Sequence, residues 1–328
     1  MPRPTGNQLR VDVPLTNISI AYIQDASQYI AEKIFPRVPV KRQSDRVPKY
    51  DKASWLAARA QPRAPGSESA GGGYKVDLSD TYFAVPYSFH KDVNDQDRAN
   101  TMAPFDADRD ATQFVTDVLL KTREILFVHS YFATGVWGYE RQGVASSPGA
   151  GQFLQWDQST SDPIGDISDA KNAILETTGF LPNVLALDYK TYEALRNHPL
   201  VLDRVKFGGA PGNPATVNAQ ALAQLFDVEE VVIGQAVVNL ANEDGTPNIQ
   251  FVMPKSALLV YRQRQPSLMK PSAGYIFAWE DYAQNAYGIA IKRFRMEHLE
   301  SDRIEGTLAF DAKIVAPDLG AFFRNTVA

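Results

Sequence analysis

Residues 47–93 constrain this chain more than any other stretch, because they read as a ribbon without a core of its own. One arm begins Val47-Pro48-Lys49-Tyr50 and runs to Trp55 and Leu56. The other alternates Tyr74, Val76 and Leu78, then thickens into Tyr82, Phe83, Val85, Tyr87 and Phe89. Residues 60–73 between them are small, polar, rich in Pro and Gly, and end in Gly71-Gly72-Gly73. An isolated two-stranded ribbon is marginal in water, and so long a loop in a compact domain needs a functional reason. The simplest reason is that a neighbouring molecule covers it.

The bulk numbers exclude several classes of function. A chain of 328 residues holds one large domain or two ordinary ones. With 44% hydrophobic and 22% charged residues it has globular composition. No apolar run is long enough to span a membrane, and Met1-Pro2-Arg3-Pro4 does not open a secretory signal. The absence of cysteine removes disulfides, thiolate metal sites and cysteine nucleophiles, and fits synthesis in a reducing cytoplasm. A net charge of −5 argues against a dedicated nucleic-acid binder. The charge is uneven: residues 1–63 carry 11 Lys/Arg against 5 Asp/Glu, a balance of +6 that leaves −11 on the rest. A basic arm on an acidic body fits contact between copies or with a polyanion, although charge alone favours an ordinary solvated terminus.

Periodicity assigns the other elements. Ile20, Ile23, Ile30 and Ile34 predict a short helix over 19–35, stopped by Pro36. Residues 104–134 predict a long helix with a stripe of Ala111, Phe114, Val118, Ile125, His129 and Phe132, widened by Val115, Leu119, Leu126 and Val128. Asp106, Asp108 and Asp110 at its start and Gly135 at its end suit its dipole and its termination. Such length points to a strut. Residues 135–165 read as loop. Helices and strands then alternate: a helix over 167–178 capped by Ser168, a buried strand over 183–187, helices over 189–196 and 217–226, and a strand over 229–240 turning through 242–248 to pair with 250–261. Residues 201–207 read as an extension of the 189–196 helix. Strands are expected over 275–279, 287–296 and 306–315.

No cluster of chemistry accompanies these elements. His90, His129, His198 and His298 show no ligand spacing. His129 reads as a core histidine and His90 as a structural residue in a strand. The Gly208-Gly209-Ala210-Pro211-Gly212 run lacks the Lys-Ser/Thr of a phosphate loop. Asp162, Asp166 and Asp169 read as turn and cap residues. No catalytic, cofactor-binding or metal site, and hence no cofactor, is expected.

The order of parts resembles the major capsid proteins of tailed bacteriophages, with the α+β Hong Kong 97-like fold. The phrase Ile34-Phe35-Pro36-Arg37-Val38-Pro39-Val40 is similar to the arm of that family, the ribbon to its E-loop, and the long helix to its spine. The resemblance implies an N-terminal arm over 1–46 and an E-loop over 47–93. It also implies a P domain over 94–163 with the spine helix at 104–134, a mixed α/β A domain over 164–272, and a return to the P-domain sheet over 273–328. It implies a non-enzymatic subunit that forms pentamers and hexamers and closes an icosahedral virion shell around double-stranded DNA touched non-specifically. A portal, a decoration protein and, because the chain opens directly on its arm, a separate scaffolding protein are the implied partners, with no membrane. Intersubunit contacts are expected at Arg37, Lys41, Arg42, Trp55, Arg59, Arg63, Glu68 and Lys75. Loops at the capsomer axis are expected at Gly208, Gly209, Gly212, Asp244 and Gly245. Lys49, Lys52 and Lys75 have no identified Asn partner, so no covalent cross-link is expected. Two other readings stay open: an encapsulin-like compartment, and a hydrolase with its site in 164–260.

Overall fold

Two sheets and one long helix organise the chain; the computed structural model describes residues 24–101, 105–208, 217–241, 245–266, 270–282 and 289–328. The chain enters through a 3-10 turn, Ala26–Gln28, then helix α1 (Ala31–Ile34) and strand β1 (Arg37–Val40). The ribbon follows as β2 (Ser44–Arg46), β3 (Lys49–Tyr50), the short helix α2 (Lys52–Trp55), β4 (Val76–Asp77) and β5 (Thr81–Phe83), and leads into β6 (Val85–Asn94). Next come α3 (Asp95–Asn100), the long helix α4 (Ala107–Tyr131), β7 (Tyr139–Val144) and β8 (Gln152–Leu154). The middle of the chain supplies α5 (Pro163–Thr178), β9 (Val184–Asp188), α6 (Tyr189–Asn197), α7 (Pro199–Gly208), α8 (Ala219–Leu225), β10 (Glu230–Gly234), β11 (Val237–Asn239), β12 (Ile249–Phe251) and β13 (Ser256–Val260). The last strands are β14 (Gly274–Trp279), β15 (Ile289–Met296), β16 (Ser301–Ile314) and β17 (Gly320–Arg324).

The first sheet is five-stranded. Its backbone is the long strand β16, with β6 along one side and β15 and β14 along the other, and β1 lies outside β14 in parallel. Helix α4 lies across this sheet. Its 25 residues make it about 38 Å long at about 1.5 Å per residue. Its start is fixed by Asp106, whose carboxylate accepts the N–H groups of Asp108 and Arg109 at 3.0 and 3.2 Å. Pro104, the expected start, lies outside the described residues, and the helix stops at Tyr131, short of the expected 134.

The buried face of α4 differs from the expected stripe. Ala111, Val115, Leu119, Leu120, Phe127 and Val128 are buried together with Asp117, Arg123 and Glu124, whereas Phe114 and His129 are exposed. The core histidine expected at 129 is therefore a surface residue. The charged residues turn inward because α1 packs on this face and supplies their partners.

The second sheet is six-stranded, in the order β10-β9-β13-β17-β7-β8. Strands β9 and β13 are buried throughout, which suits their unbroken apolar sequence. Strands β7 and β8 come from 135–165, which the sequence presents as loop, and β17 was not expected as a strand. The sheet thus draws on all three segments 94–163, 164–272 and 273–328. The single strand expected over 229–240 is two strands: β10 pairs in parallel with β9, while β11 forms an antiparallel hairpin with β12. Helix α5 begins at Pro163 under an Asp162 cap that accepts Gly165 N–H at 2.9 Å, earlier than the expected Ser168, and ends on left-handed Gly179. Residues 199–208 form a helix of their own, because His198 takes an extended backbone ahead of Pro199. The predicted helix over 19–35 is represented by Ala26–Gln28 and α1; residues 19–23 lie outside the described residues. One apolar cluster runs continuously from the α4–sheet contact into the second sheet. Among the described residues no helix is long and apolar enough to cross a membrane.

Candidate assembly interface

The ribbon is rooted in the first sheet and, apart from an ion pair of Lys52 with Asp318, projects beyond it. At the root, β2 pairs with β5. Tyr82 stacks on Phe277 with ring centroids 4.5 Å apart, in a small cluster with Val47 and Tyr275. Lys49 pairs with Asp80, which also lies 3.6 Å from Lys313 and is held below the ordinary carboxylate range by Lys49. The root is thus part of a core, which the sequence did not indicate. Every residue from 55 to 79 is exposed.

Past the root the arms are largely irregular, with paired strands of only two residues. Local capping replaces ladder bonds. Asp51 accepts Ser54 Oγ at 2.7 Å and the N–H groups of Ala53 and Ser54 at 3.2 Å each, which fixes α2 and keeps the Asp51 carboxyl low. This places Trp55 against Tyr50 and Tyr74, with centroids 6.1 and 5.6 Å away. Leu56, Val76 and Leu78 extend this apolar knuckle into solvent. An exposed aromatic cluster on a capped turn, remote from the core, has the composition of an interface anchor. Lys52 reaches the body at Asp318.

The expected contact residues fall into three groups. Trp55 and Lys75 lie in the knuckle, Lys75 through a main-chain carbonyl that accepts Asp51 N–H at 3.1 Å. Arg59, Arg63 and Glu68 are at the exposed tip, where Arg63 Nε donates to the Ser67 carbonyl at 2.5 Å across a turn. Arg37, Lys41 and Arg42 are at the root: Arg37 in β1, and the carbonyls of Lys41 and Arg42 accepting Trp279 Nε1 and Tyr82 OH at 3.0 and 3.3 Å. Gly208 ends α7 and Gly245 lies between β11 and β12; Gly209, Gly212 and Asp244 lie outside the described residues. Tyr50 and Tyr74, which complete the knuckle, were visible in sequence only as strand alternation.

Among the described residues, a Ser–His contact at the border of 164–260 bears on the hydrolase reading. Ser161 Oγ lies 3.1 Å from His198 Nε2, both residues buried. His198 Nδ1 accepts Leu200 N–H at 3.3 Å, so the ring proton sits on Nε2, which faces the Gln158 carbonyl at 3.2 Å. A protonated Nε2 cannot take the serine proton, and Ser161 Oγ donates to Gln158 O at 2.8 Å instead. The pair is a structural knot. Among the described residues no group of three or more His, Asp or Glu is placed to hold a metal.

No family model matches the chain. The chain is 25% identical over 320 residues to the major capsid protein of Pseudomonas phage JBD67, covering 97% of both. It is 25% identical over 285 residues to that of Burkholderia phage BcepMu, covering 81% of this chain and 82% of the relative. Among solved structures, a phage-related protein of Bordetella bronchiseptica RB50 matches with TM-score 0.68 and 21% identity, over 92% of this chain and 93% of that one. The capsid of cyanophage P-SCSP1u matches with TM-score 0.60 and 13% identity, over 97% and 93%. An encapsulin complex from Synechococcus elongatus PCC 7942 shares the fold at TM-score 0.56 and 11% identity, over 95% and 93%. The helix seated on one sheet, the second mixed sheet and the projecting strap define an α+β Hong Kong 97-like capsid fold. Within that class the chain is a relative of phage major capsid proteins.

Proposed function

We propose that this chain is a phage major capsid protein that assembles with copies of itself into the virion shell. The observation that carries this is the match to a major capsid protein over 97% of both chains, on a fold of the same kind. The encapsulin likeness is in fold alone, at 11% identity, and the sequence relatives are phage proteins.

Further features of the reading are our proposals. The subunit forms pentamers and hexamers that close an icosahedron around double-stranded DNA, and its role is structural. The arm covers 1–46, the E-loop 47–93, the P domain 94–163 with 273–328, and the A domain 164–272. The subunit is made in the host bacterial cytoplasm and meets a scaffolding protein, a portal and a decoration protein. The knuckle around Trp55, with Lys75, Arg59, Arg63 and Glu68, covers the adjacent subunit, and Arg37, Lys41 and Arg42 lie at the same seam. The loops at Gly208–Gly212 and Asp244–Gly245 surround the capsomer axis.

Negative-stain microscopy of the purified protein tests the reading. Closed angular shells are expected; a protein that stays monomeric at all concentrations and salt conditions overturns it. Shells that hold cargo protein and no DNA, isolated from infected cells, establish the compartment reading instead.

A further inference from the structure

Helix α1 has four residues, far too few to persist alone in water, yet it is among the most buried parts of the molecule. Ile30, Ala31, Ile34 and Phe35 have at most 1% of their surface exposed. Its capping residue Ile30 has no side chain that could satisfy the first N–H groups. Glu124, from the middle of α4, does this instead. One carboxylate oxygen accepts Ile30 N–H at 2.8 Å and the other accepts Ala31 N–H at 3.1 Å. Glu124 is itself 2% exposed. Burying a carboxylate is costly unless donors compensate it, and here two of those donors are main-chain groups of a segment more than ninety residues away.

The other end of α1 is held by the opposite charge. Arg262, just after β13, donates to the Lys33 carbonyl and is oriented by Glu230 at 2.9 Å. A carboxylate at the N-terminal end and a guanidinium at the C-terminal end both match the helix dipole. Two flanking contacts fix its rotation: Tyr29 OH donates to Asp117 at 2.9 Å, and Arg123 pairs with Glu32 at 2.5 Å.

The contacts continue beyond α1 in both directions. Upstream, the Gln24 amide donates to the Val237 carbonyl at 2.6 Å and accepts Val237 N–H at 3.1 Å, as a neighbouring strand would on the outer edge of β11. Downstream, β1 joins the first sheet beside β14. Phe35 enters the aromatic cluster of Phe127, Tyr131 and Trp137, over Gly274, where a Cβ would come within 2.4 Å of its ring. Residues 24–40 thus touch the β11–β12 hairpin, the end of β13, the long helix and the edge of the first sheet in succession.

We propose that residues 24–40 are a brace that fixes the angle between the two sheets, with Gln24, Glu124 and Arg262 as its positioning residues. The anchors grip main-chain atoms at both ends of α1, so they set where the segment lies. Apart from the edge strand β1, each sheet keeps its own hydrogen bonds without the brace, which adds directional contacts to the apolar cluster that the two sheets share. In a shell, where neighbours meet a subunit through both sheets, that angle sets the curvature, a step that rests on the capsid reading above.

The test uses the unassembled full chain. Glu124→Gln removes one acceptor, and Arg262→Met removes the guanidinium at similar volume; Glu176→Gln, exposed on α5, is the control. Hydrogen exchange over 29–36 should speed up on the order of tenfold in both variants, with 184–188 and 256–260 as protected as in the wild type. The chain has no cysteine, so spin labels at His90→Cys and Lys190→Cys report the distance between the sheets, which should broaden in the variants and stay narrow in the control. Wild-type protection over 29–36 or an unchanged distance distribution overturns the brace. Loss of protection throughout a variant assigns that anchor to the common core; Gln24→Ala, at the partly buried end, then decides by the same two readouts. Neither readout needs a shell, so they stand if the capsid reading fails. Where shells form, a wider spread of diameters in the variants is expected, and wild-type diameters overturn the curvature step.

Discussion

Replacing Gly306 with alanine tests how closely the long helix is seated on the five-stranded sheet. Gly306 lies in β16 between Phe89 and Ile291 of its neighbouring strands. A Cβ there would stand 2.6 Å from Val115 Cγ1 and 2.8 Å from Leu119 Cδ1, both on α4. Carbon contacts settle at about 3.5–4.0 Å, so the helix must lift by about 1 Å or the two side chains must leave their rotamers. Overpacking of this kind costs about 1–3 kcal/mol, offset by about 0.5–1 kcal/mol from the loss of glycine's chain entropy. The expected net loss is about 1–2 kcal/mol. Val115→Ala alone removes two buried carbons and leaves a cavity, for about 2–3 kcal/mol. In the double variant the new methyl enters the space that Val115 vacates. It should be about as stable as Val115→Ala alone, a coupling of about 1–2 kcal/mol. Guanidinium unfolding of the four unassembled proteins, followed by far-UV circular dichroism and tryptophan fluorescence, gives the cycle. Additivity within about 0.5 kcal/mol would refute the proposed seating.

Three further outcomes are expected. Deleting residues 60–73 should leave a folded, soluble subunit that cannot close shells, because that segment is exposed throughout; normal particles would remove the strap's role. Trp55→Ala should change subunit stability by no more than about 1 kcal/mol, since its ring partners are themselves at the surface, yet block assembly in light-scattering assays; assembly at the wild-type rate would move the anchor elsewhere. Acid should loosen the end of the first sheet. Asp92, Asp95 and Asp302 are held below the ordinary carboxylate value of 3.8, chiefly by Arg303, Arg295 and Arg293 in turn, with Arg98, Asp108 and Glu297 around them. Because their folded-state values are depressed, their contribution is present above the unfolded value and is lost as pH falls through the folded values. The urea midpoint should therefore drop with acidification below about pH 4, and less steeply in Asp302→Asn; parallel curves for both proteins would count against this network.

Local chemistry was legible in the sequence wherever it acted over a few residues. The acidic first turn of the long helix, the Gly179 stop of α5 and the polar tip of the ribbon could all be read directly. What could not be read was decided by distant partners. The 3.6-residue period gives α4 an apolar stripe through Phe114 and His129, but Tyr29 and Glu32 of the arm draw Asp117 and Arg123 inward and turn the helix. Strand β7, Tyr-Glu-Arg-Gln-Gly-Val, has no apolar alternation because it is only half-buried beside β17. The knuckle needs Tyr50 and Tyr74, far apart along the chain, to meet at Trp55. Periodicity also gave no hint that 135–165 and 320–324 would be neighbours in one sheet.

That sheet has a consequence for how the chain is made. Strand β17 lies between β13 and β7, antiparallel to one and parallel to the other. Residues 320–324 therefore fill a central slot whose walls are synthesised far earlier. At about 5–20 residues per second, roughly ten to forty seconds separate the emergence of β7 from that of β17. β7 presents an open edge through that interval and β13 through its last roughly three to thirteen seconds, while the seats of Phe322 and Phe323 stand empty, close to other nascent chains on the same message. A strand of the same sequence from a neighbouring nascent chain can pair with those edges in the same register. Completion of the sheet waits for residues 320–324, the last of its six strands to be made.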